Sequence, residues 1–565
     1  MKARKQKDVP PRQPKAENQR PWLWIGLSSI AALFLVFEVY GPALHGGFIL
    51  DDRYLPIFNP EATGRIRYWV GIIRPLLGLS YWIDYEIHGQ DAFGFRVTNV
   101  LLHFVVAALV ALIAAKLLEW TGAPARTRIA LAGFSGAVFL LHPLQTESVS
   151  YLASRSEILS MLFFYGAFAV YLYRRGEGMS IGRTIGVLVL FAAALASKEH
   201  TLILPVWLVL ADFLWSRGGF RAHRILYSLL AFGVAIGAVF IWKILSTANT
   251  AGFRLRDMTP AAFFFTQCRV LWTYIRMFFV PMGQNIDPDV AVSNSALDHG
   301  AIFGLIALLA LVVLAWIYRK QFPLASFGVF TFLLLIAPTS SIVPLKDVLA
   351  EHRVYMPFIG LIFVCLEFLR RLNFPQIVWA TAAAIAACSM LTYQRNQLWG
   401  SPLLLWQDSV EKSPQKYRPR FQLAYAQYEE GQCADAAKSY EIAAKLQPPD
   451  TRLLVDWALA LDCAGDPDRA IEELRRAQLR ENTAHIHTQI AMVLAKRGKM
   501  PDALDELAQA ERLDASYPMI YVYRGNIYES SGNRAAAVHE YEHAIRLNPK
   551  NQAAHEALAR VGAVK

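Results

Sequence analysis

Charge is scarce in this sequence. Charged residues make up 18% of the 565 residues, whereas hydrophobic residues make up 55%. A soluble globular protein usually carries about 25% charged residues, so the composition excludes a water-soluble protein over the whole length. The deficit lies before residue 392, where apolar runs of roughly 15–22 residues follow one another. The remainder is polar, alanine-rich and helix-favouring. We therefore expect a membrane domain followed by a water-soluble domain.

Cysteine is also rare, and the five cysteines have neither metal-binding nor thioredoxin-type spacing. Cys433 and Cys463 lie near the turns of successive repeats and could form a disulfide. The net charge of +11 is not gathered into basic runs interleaved with aromatic residues. The sequence therefore indicates no nucleic-acid partner.

The basic residues instead fill the tail 1–21 and the short loops between apolar runs, as the positive-inside rule describes. A basic tail before an apolar stretch could also be a cleaved signal. The stretch is long for a signal core and no convincing small-x-small site follows it, so we expect it to be retained.

We read eleven membrane spans, with the N-terminus cytoplasmic and the C-terminus on the opposite side. The stretch 262–280 has cations within an aromatic face and is interpreted as a helix lying in the outer interface. The predicted spans are 22–40, 97–116, 128–141, 152–173, 181–196, 200–214, 225–245, 300–318, 323–337, 354–370 and 374–392. The predicted domains are the tail 1–21, a membrane domain 22–396 with an outer loop 41–96, a linker 397–416 and a repeat domain 417–565.

Two adjacent carboxylates, Asp51 and Asp52, follow the first apolar segment at once. At the edge of the hydrocarbon they could accept a proton, hold a metal or bind a polar ligand head. A solvated charge pair at the start of a loop is the alternative.

Other polar motifs fall on the same predicted face of the membrane. Each has a structural alternative: His142 with Pro143 could stop a helix, Glu199 could lie at a helix N-terminus, and Arg155 and Glu157 could pair with each other. Their convergence favours a functional site. The site candidates are His142, Glu147, Lys198, Glu199, Glu351, His352, Arg353 and Tyr355.

Carboxylates beside cations at a membrane surface suit a lipid whose head is linked through a phosphate. Arginine and lysine would neutralise the phosphate, and a carboxylate would deprotonate an incoming hydroxyl as the phosphate leaves. The residues that we expect to bind the donor phosphate are Arg74, Lys198, His352 and Arg353.

The C-terminal part contains a clear repeat. Glycines at 431, 465, 498 and 532 recur every 33 or 34 residues, followed at fixed offsets by alanine, by tyrosine or leucine, and by alanine again. This is the tetratricopeptide pattern of paired helices. It predicts four repeats, a capping helix over 552–564 and a curved solenoid that binds an extended peptide or a partner protein. A spacer role is the alternative.

The combination resembles a known family, the TMTC-type transmembrane and tetratricopeptide-repeat O-mannosyltransferases and their bacterial relatives. The resemblance covers most of the chain. Its motifs are Phe48-Ile49-Leu50-Asp51-Asp52, Arg74-Pro75, Asn99-Val100-Leu101-Leu102-His103, His142-Pro143 with Thr146-Glu147, Ser154-Arg155 with Glu157, Lys198-Glu199, Glu351-His352-Arg353 with Tyr355 and Pro357, and Arg395-Asn396 with Trp399.

This resemblance implies an all-α, polytopic fold of the GT-C glycosyltransferase type followed by the tetratricopeptide solenoid. It implies inverting transfer of a sugar, mannose or another hexose, from a polyprenyl-phosphate carrier to Ser/Thr hydroxyls of exported proteins. The general base would be Asp51 or Asp52. Some relatives use a divalent metal such as magnesium or manganese, and the same pair would hold it. The implied place is a bacterial inner membrane, with the repeats in the periplasm presenting the acceptor polypeptide.

Two other hypotheses stay open. A ligase or polymerase of lipid-linked glycans would transfer to a saccharide and use the repeats to recruit partners. A membrane scaffold would use the repeats to bind envelope proteins, with the acidic pair inert.

Overall fold

The computed structural model describes residues 21–58, 65–174, 178–215, 223–247, 251–252, 255 and 258–563. The predicted tail lies outside the described residues except for Pro21. Regular secondary structure in these ranges is helical, and β pairing is confined to an isolated bridge between Ala251 and Leu345. The all-α prediction is confirmed for the part of the chain that the structure describes.

The α-helices that precede the repeat domain range in length from 5 residues, in Ile66–Val70, to 29 residues, in Ala92–Trp120. Several helices start at proline, whose missing N–H has no role in the first helical turn. The helices are α1 (Pro21–Leu44), α2 (Ile66–Val70), α3 (Pro75–His88), α4 (Ala92–Trp120), α5 (Ala125–Leu141), α6 (Thr146–Ser150), α7 (Arg155–Leu172), α8 (Ile181–Ser197), α9 (Leu204–Trp215), α10 (Arg224–Thr247), α11 (Pro260–Phe279), α12 (Ala301–Ile317), α13 (Pro323–Ile336), α14 (Phe358–Leu369) and α15 (Phe374–Trp399).

Five described helices are long and apolar enough to cross a membrane, or six if the bent pair 125–141 and 143–150 forms one span. Three more apolar helices, α8, α13 and α14, are shorter, with 17, 14 and 12 residues. A bilayer crossing takes about 20 residues. The predicted count of eleven is therefore not confirmed. The stretch 262–280, which the sequence predicts to lie in the outer interface, falls in α11 except for its last residue, and α11 is not among the candidate spans.

The repeat domain follows a helix, α16 (Pro402–Lys412), that lies within the predicted linker. Four helical pairs and a final helix match the predicted repeats. Each glycine between the helices of a pair has a positive φ, from 72° to 86°, a conformation that glycine adopts without a steric penalty. The helices are α17 (Tyr417–Glu429), α18 (Cys433–Leu446), α19 (Thr451–Cys463), α20 (Pro467–Arg480), α21 (Ala484–Lys496), α22 (Met500–Leu513), α23 (Pro518–Ser530), α24 (Arg534–Leu547) and α25 (Gln552–Ala563).

The small and large residues of the repeat pattern form the solenoid core. Ala436, Tyr440 and Ala443 of the first repeat are fully buried, as are their counterparts in the later repeats. A disulfide joins Cys433 to Cys463, with Cα atoms 5.6 Å apart, and links the first repeat to the second. The sequence left this pairing open as one possibility, and the structure contains it.

The repeat domain packs directly on the membrane domain. A shared apolar cluster includes Ile49 and Tyr151 from the membrane domain and Trp406, Leu423 and Ala426 from α16 and α17. Burial of this cluster fixes the first repeat beside the loop that carries the acidic pair.

Charged contacts add to this packing. Arg418 donates to both carboxylate oxygens of the buried Asp287, at 2.6 and 2.5 Å, and Lys416 donates to the same group at 2.6 Å. Arg418 also donates to Asp347 at 2.8 Å. We call Asp287, Asp347, Lys416 and Arg418 the interdomain ion cluster.

Candidate functional site

The acidic pair lies on a short 3₁₀ turn, Leu50–Tyr54, and its two members differ in environment. Asp52 is fully buried and accepts hydrogen bonds from the backbone N–H groups of Ile49 at 3.2 Å and Ala153 at 2.7 Å. Asp51 is exposed, and its own backbone N–H donates to the Tyr151 hydroxyl at 3.0 Å. Asp51 is therefore the member whose carboxylate a solute can reach.

Leu50, immediately before the pair, has a φ of 44°, in the left-handed region that non-glycine residues seldom adopt. Such strain persists only where surrounding contacts hold the backbone, and it is concentrated at functional sites. Here the backbone N–H groups of Ile49 and Ala153, which donate to the Asp52 carboxylate, hold the backbone in this conformation. The turn is therefore a fixed element that presents Asp51.

Burial raises the pKa of Asp52 to about 7, although the N–H groups of Ile49 and Ala153 and the charge of Arg96 act to lower it. Arg96 is a residue that sequence reasoning missed. Its guanidinium donates to the carbonyls of Gly46, of Gly47 at 2.7 Å and of Ser150 at 3.1 Å. It thereby ties the start of the acidic loop to the segment that precedes Tyr151.

Glu147 and His352 form a second element of the site. His352 Nδ1 lies 2.6 Å from Glu147 Oε1, and because a carboxylate can only accept, Nδ1 carries the proton. The other oxygen of Glu147 accepts from the backbone N–H groups of Glu351 at 2.9 Å and His352 at 3.3 Å. The imidazole of His352 stays 26% exposed, which leaves Nε2 for a ligand.

Glu351 is buried behind this pair. It accepts from the backbone N–H of Asn285 at 2.7 Å and from the Gln284 amide at 3.2 Å. Burial raises the pKa of Glu351 to about 7, with Arg395 lowering it and Glu147 raising it. Glu351 thus links the His352 turn to the loop that carries Asp287 of the interdomain ion cluster.

Two cations proposed for the donor phosphate have carboxylate partners. Arg74 forms a two-point ion pair with Glu199, at 3.0 and 2.7 Å, and this pair lowers the pKa of Glu199 to about 2 despite the opposing effect of burial. Lys198 contacts Glu157 at 2.5 Å. Burial lowers the pKa of Lys198, with Glu157 raising it and Arg74 lowering it further. The two pairs form one charged group.

Three predicted site residues lie in packed surroundings. His142 Nε2 donates to the carbonyl of Phe278 at 2.9 Å while its Nδ1 accepts from the N–H of Leu144, which fits the helix-stop alternative. Tyr355 is fully buried, with its hydroxyl 2.8 Å from His103 Nδ1. Arg353 is 9% exposed and donates to the carbonyls of its own loop at Val348 and Asp347.

The structure therefore places the exposed Asp51 and the partly exposed His352 beside two buried side chains: Asp51 N–H donates to the Tyr151 hydroxyl, and His352 contacts Glu147. Burial raises the pKa of the Tyr151 phenol, and the charges of Asp52, Asp51 and Glu147 act in the same direction. We call Asp51, Tyr151, Glu147 and His352 the acidic face. Among the residues that the structure describes, no group of three or more His, Cys, Asp or Glu side chains is arranged to hold a metal ion.

The fold and this surface define a helical protein with candidate membrane spans, a docked tetratricopeptide solenoid and an exposed carboxylate between them. Family models described as "Tetratricopeptide repeat" match residues 421–483, 455–518 and 518–551. The tetratricopeptide protein TTC0263 of Thermus thermophilus is 20% identical and covers 33% of this chain and 94% of that one. Its TM-score of 0.26 is too low to support a conclusion.

Relatives named as protein O-mannosyl-transferases cover more of the chain. The Caenorhabditis elegans protein F38B6.6 is 24% identical over 446 residues, which are 72% of this chain and 61% of the relative. Drosophila melanogaster Tmtc3 is 22% identical and covers 80% of this chain and 58% of its own length. Drosophila Tmtc1 is 32% identical over 206 residues, which are 34% of this chain and 23% of the relative. The chain thus spans less than two thirds of each of these relatives.

These matches confirm the resemblance to the TMTC-type transmembrane and tetratricopeptide-repeat family.

Proposed function

We propose that this protein is a membrane glycosyltransferase that moves a sugar, with mannose the first candidate, from a polyprenyl-phosphate carrier to Ser/Thr hydroxyls of proteins. The observation that carries the proposal is the exposed Asp51 carboxylate, fixed beside the first tetratricopeptide repeat at the end of an apolar helix. The names of the relatives support the same reaction class. A scaffold would not need a strained turn that exposes a carboxylate.

In this reaction Asp51 is the general base. It takes the proton of the acceptor hydroxyl as that oxygen attacks the anomeric carbon of the sugar. The bond between the anomeric carbon and the phosphate oxygen breaks, and the phosphate leaves on its polyprenyl chain. A single displacement inverts the anomeric centre. A positioned base of this kind typically contributes about 10²–10⁴ in rate.

Asp52 is a positioning residue. It acts through its bonds to Ile49 and Ala153, which hold the turn and so the direction of Asp51. The proposal thereby separates the roles of two adjacent carboxylates.

The leaving phosphate would be bound by His352, through Nε2, and by the charged group around Arg74 and Lys198. Glu147 orients the imidazole of His352 by accepting from Nδ1. Arg74 is about a third exposed, and its guanidinium matches the geometry of a phosphate. Binding of the donor would then compete with Glu199 for Arg74.

We place the acidic face and the repeats on the non-cytoplasmic side. The Cys433–Cys463 disulfide supports this orientation, because disulfides persist in oxidising compartments and are rare in the cytoplasm. The basic loops, which the positive-inside rule assigns to the cytoplasmic side, agree with this orientation. Cysteine-accessibility labelling of intact cells tests the orientation directly.

The proposed activity is tested with the purified full-length protein in lipid nanodiscs, a polyprenyl-phosphate mannose donor and Ser/Thr peptides, with products read by mass spectrometry. We expect an added hexose on the peptide that depends on the lipid-linked donor. Transfer to a saccharide in place of the peptide would favour the glycan ligase hypothesis instead.

A further inference from the structure

A cleft of about 480 Å³ lies between the acidic loop and the first repeat. One wall is the loop, with Phe48, Arg53 and Phe58, and the other is α16 and α17, with Leu403 and Tyr425. Arg53 belongs to the same 3₁₀ turn as Asp51 and Asp52, so this wall of the cleft continues in sequence into the turn that carries the acidic pair. The acidic pair itself does not line the cleft.

Arg53 joins the two walls. Its guanidinium carbon lies 4.2 Å from the ring centroid of Tyr425, a cation–π distance. This contact bridges the membrane domain and the solenoid within the lining of the cleft. The cleft is thus a feature of the docked arrangement of both domains.

The lining of the cleft has an apolar part and an acidic part. We call Phe48, Phe58 and Leu403 the floor, and Glu429 and Glu430 the rim. Phe58 is 41% exposed and, with Phe48 and Leu403, offers apolar surface. Glu429 and Glu430 also line the cleft and are both exposed, and Glu429 forms a side-chain hydrogen bond with Tyr425. Apolar surface beside two exposed carboxylates suits a polypeptide with an apolar side chain and a basic one.

We propose that this cleft binds the acceptor as an extended polypeptide segment, with a large apolar residue on the floor and a lysine or arginine against Glu429 and Glu430. The hydroxyl to be modified would lie on the same segment, next to Asp51. This inference rests on the proposed function and adds a sequence preference for the acceptor. The specificity would come from the repeat domain and the chemistry from the membrane domain.

The test is peptide binding by the full-length protein without any sugar donor. Two short fluorescent peptides each contain a threonine and a phenylalanine. The lysine peptide carries a lysine beside these residues, and the glutamate peptide carries a glutamate in its place. We expect the lysine peptide to bind more tightly, with a preference that weakens as salt rises. The charge-reversal variant E429K/E430K should weaken binding of the lysine peptide about tenfold and remove the preference.

The matched control is E472K/E542K, which reverses two exposed carboxylates elsewhere on the solenoid. It should bind both peptides as the wild type does. A second variant, Phe58→Ser, should weaken both peptides equally because it removes apolar floor. Since all these positions are exposed or partly exposed, the variants should fold.

Equal binding of the two peptides by the wild type, or an effect of the control as large as that of E429K/E430K, would overturn the proposal. A shift in oligomeric state by E429K/E430K with unchanged peptide affinity would assign the cleft to a second copy of the chain instead. The binding test contains no sugar donor, so its result does not depend on transfer. Charge-dependent peptide binding combined with no transfer in the separate activity assay would contradict the proposed glycosyltransferase activity and leave the proposed peptide site standing.

Discussion

The backbone N–H of Ala153 donates to the carboxylate of Asp52 at 2.7 Å, across 101 residues of sequence. This bond fastens the turn after the first long apolar helix to the segment between α6 and α7. Its neighbour Asp51, on the same turn, is exposed. The relationship assigns different roles to two residues that the sequence presents as equivalent.

The raised pKa of Asp52 predicts a pH dependence of stability. A carboxyl with a pKa of about 7 in the folded protein and 3.8 when unfolded binds its proton more tightly in the folded state. Its contribution to stability is therefore complete below pH 4 and is lost as the pH rises to 7. We expect the Tm of Asp52→Asn, relative to wild type, to rise between pH 4 and pH 7 and then level off. A difference that stays flat over this range would contradict the buried position of Asp52.

The interdomain ion cluster predicts a second effect on stability. The variant K416A/R418A leaves Asp287 buried without either cation, which we expect to cost about 1–3 kcal/mol after allowing for the exposure of Arg418. The repeat domain should loosen, and limited proteolysis should cut near residue 413 sooner.

The matched control is K496A/R497A, which removes one lysine and one arginine from ion pairs inside the solenoid. It should leave the cleavage rate near residue 413 unchanged. If both variants are cut at the same rate, the ion cluster does not hold the two domains together.

The disulfide predicts how many cysteines react with a thiol reagent, and it predicts that its removal lowers stability. In denatured protein without reductant, a maleimide reagent should label three cysteines, and after reduction it should label all five. The variant C433S/C463S should have a lower Tm than the wild type, by an amount corresponding to about 2–4 kcal/mol. Five labelled cysteines before reduction, in protein taken directly from cells, would refute both the bond and the compartment that it supports.

The pair of Glu147 and His352 predicts an effect on donor binding. His352→Ala removes the proposed phosphate ligand, and we expect the apparent KM for the lipid-linked donor to rise about tenfold or more while the KM for the peptide stays the same. Glu147→Gln should act in the same direction, since an amide cannot accept at both positions.

His539→Ala is the control, because His539 is an exposed histidine of the last repeat. It should leave both KM values unchanged. A rise in the peptide KM for His352→Ala, with the donor KM constant, would move His352 from the donor to the acceptor side of the site.

The repeats were predictable because their signal is local. Glycine at a positive φ and alanine at a close helix contact recur at a fixed spacing, and each unit contacts only its neighbours. The adjacency of the acidic pair is local in the same sense. Its division into one buried and one exposed member depends on Ala153, which no local pattern reveals.

Long-range partners also explain the misjudged charges. The alternative in which Arg155 and Glu157 satisfy each other is wrong, since Arg155 pairs with Asp84 at 2.6 Å and Glu157 with Lys198 at 2.5 Å. Residues two apart on a helix do not face each other. The environment of His142 likewise depends on the carbonyl of Phe278, 136 residues away.

The central claim is that Asp51 is the base of a glycosyl transfer. It is tested most directly by comparing Asp51→Asn and Asp52→Asn with wild type for transfer from polyprenyl-phosphate mannose to a threonine peptide, at matched protein levels. We predict that Asp51→Asn loses activity by at least about 10²-fold with an unchanged Tm, whereas Asp52→Asn retains measurable transfer. Full activity in Asp51→Asn would contradict the account.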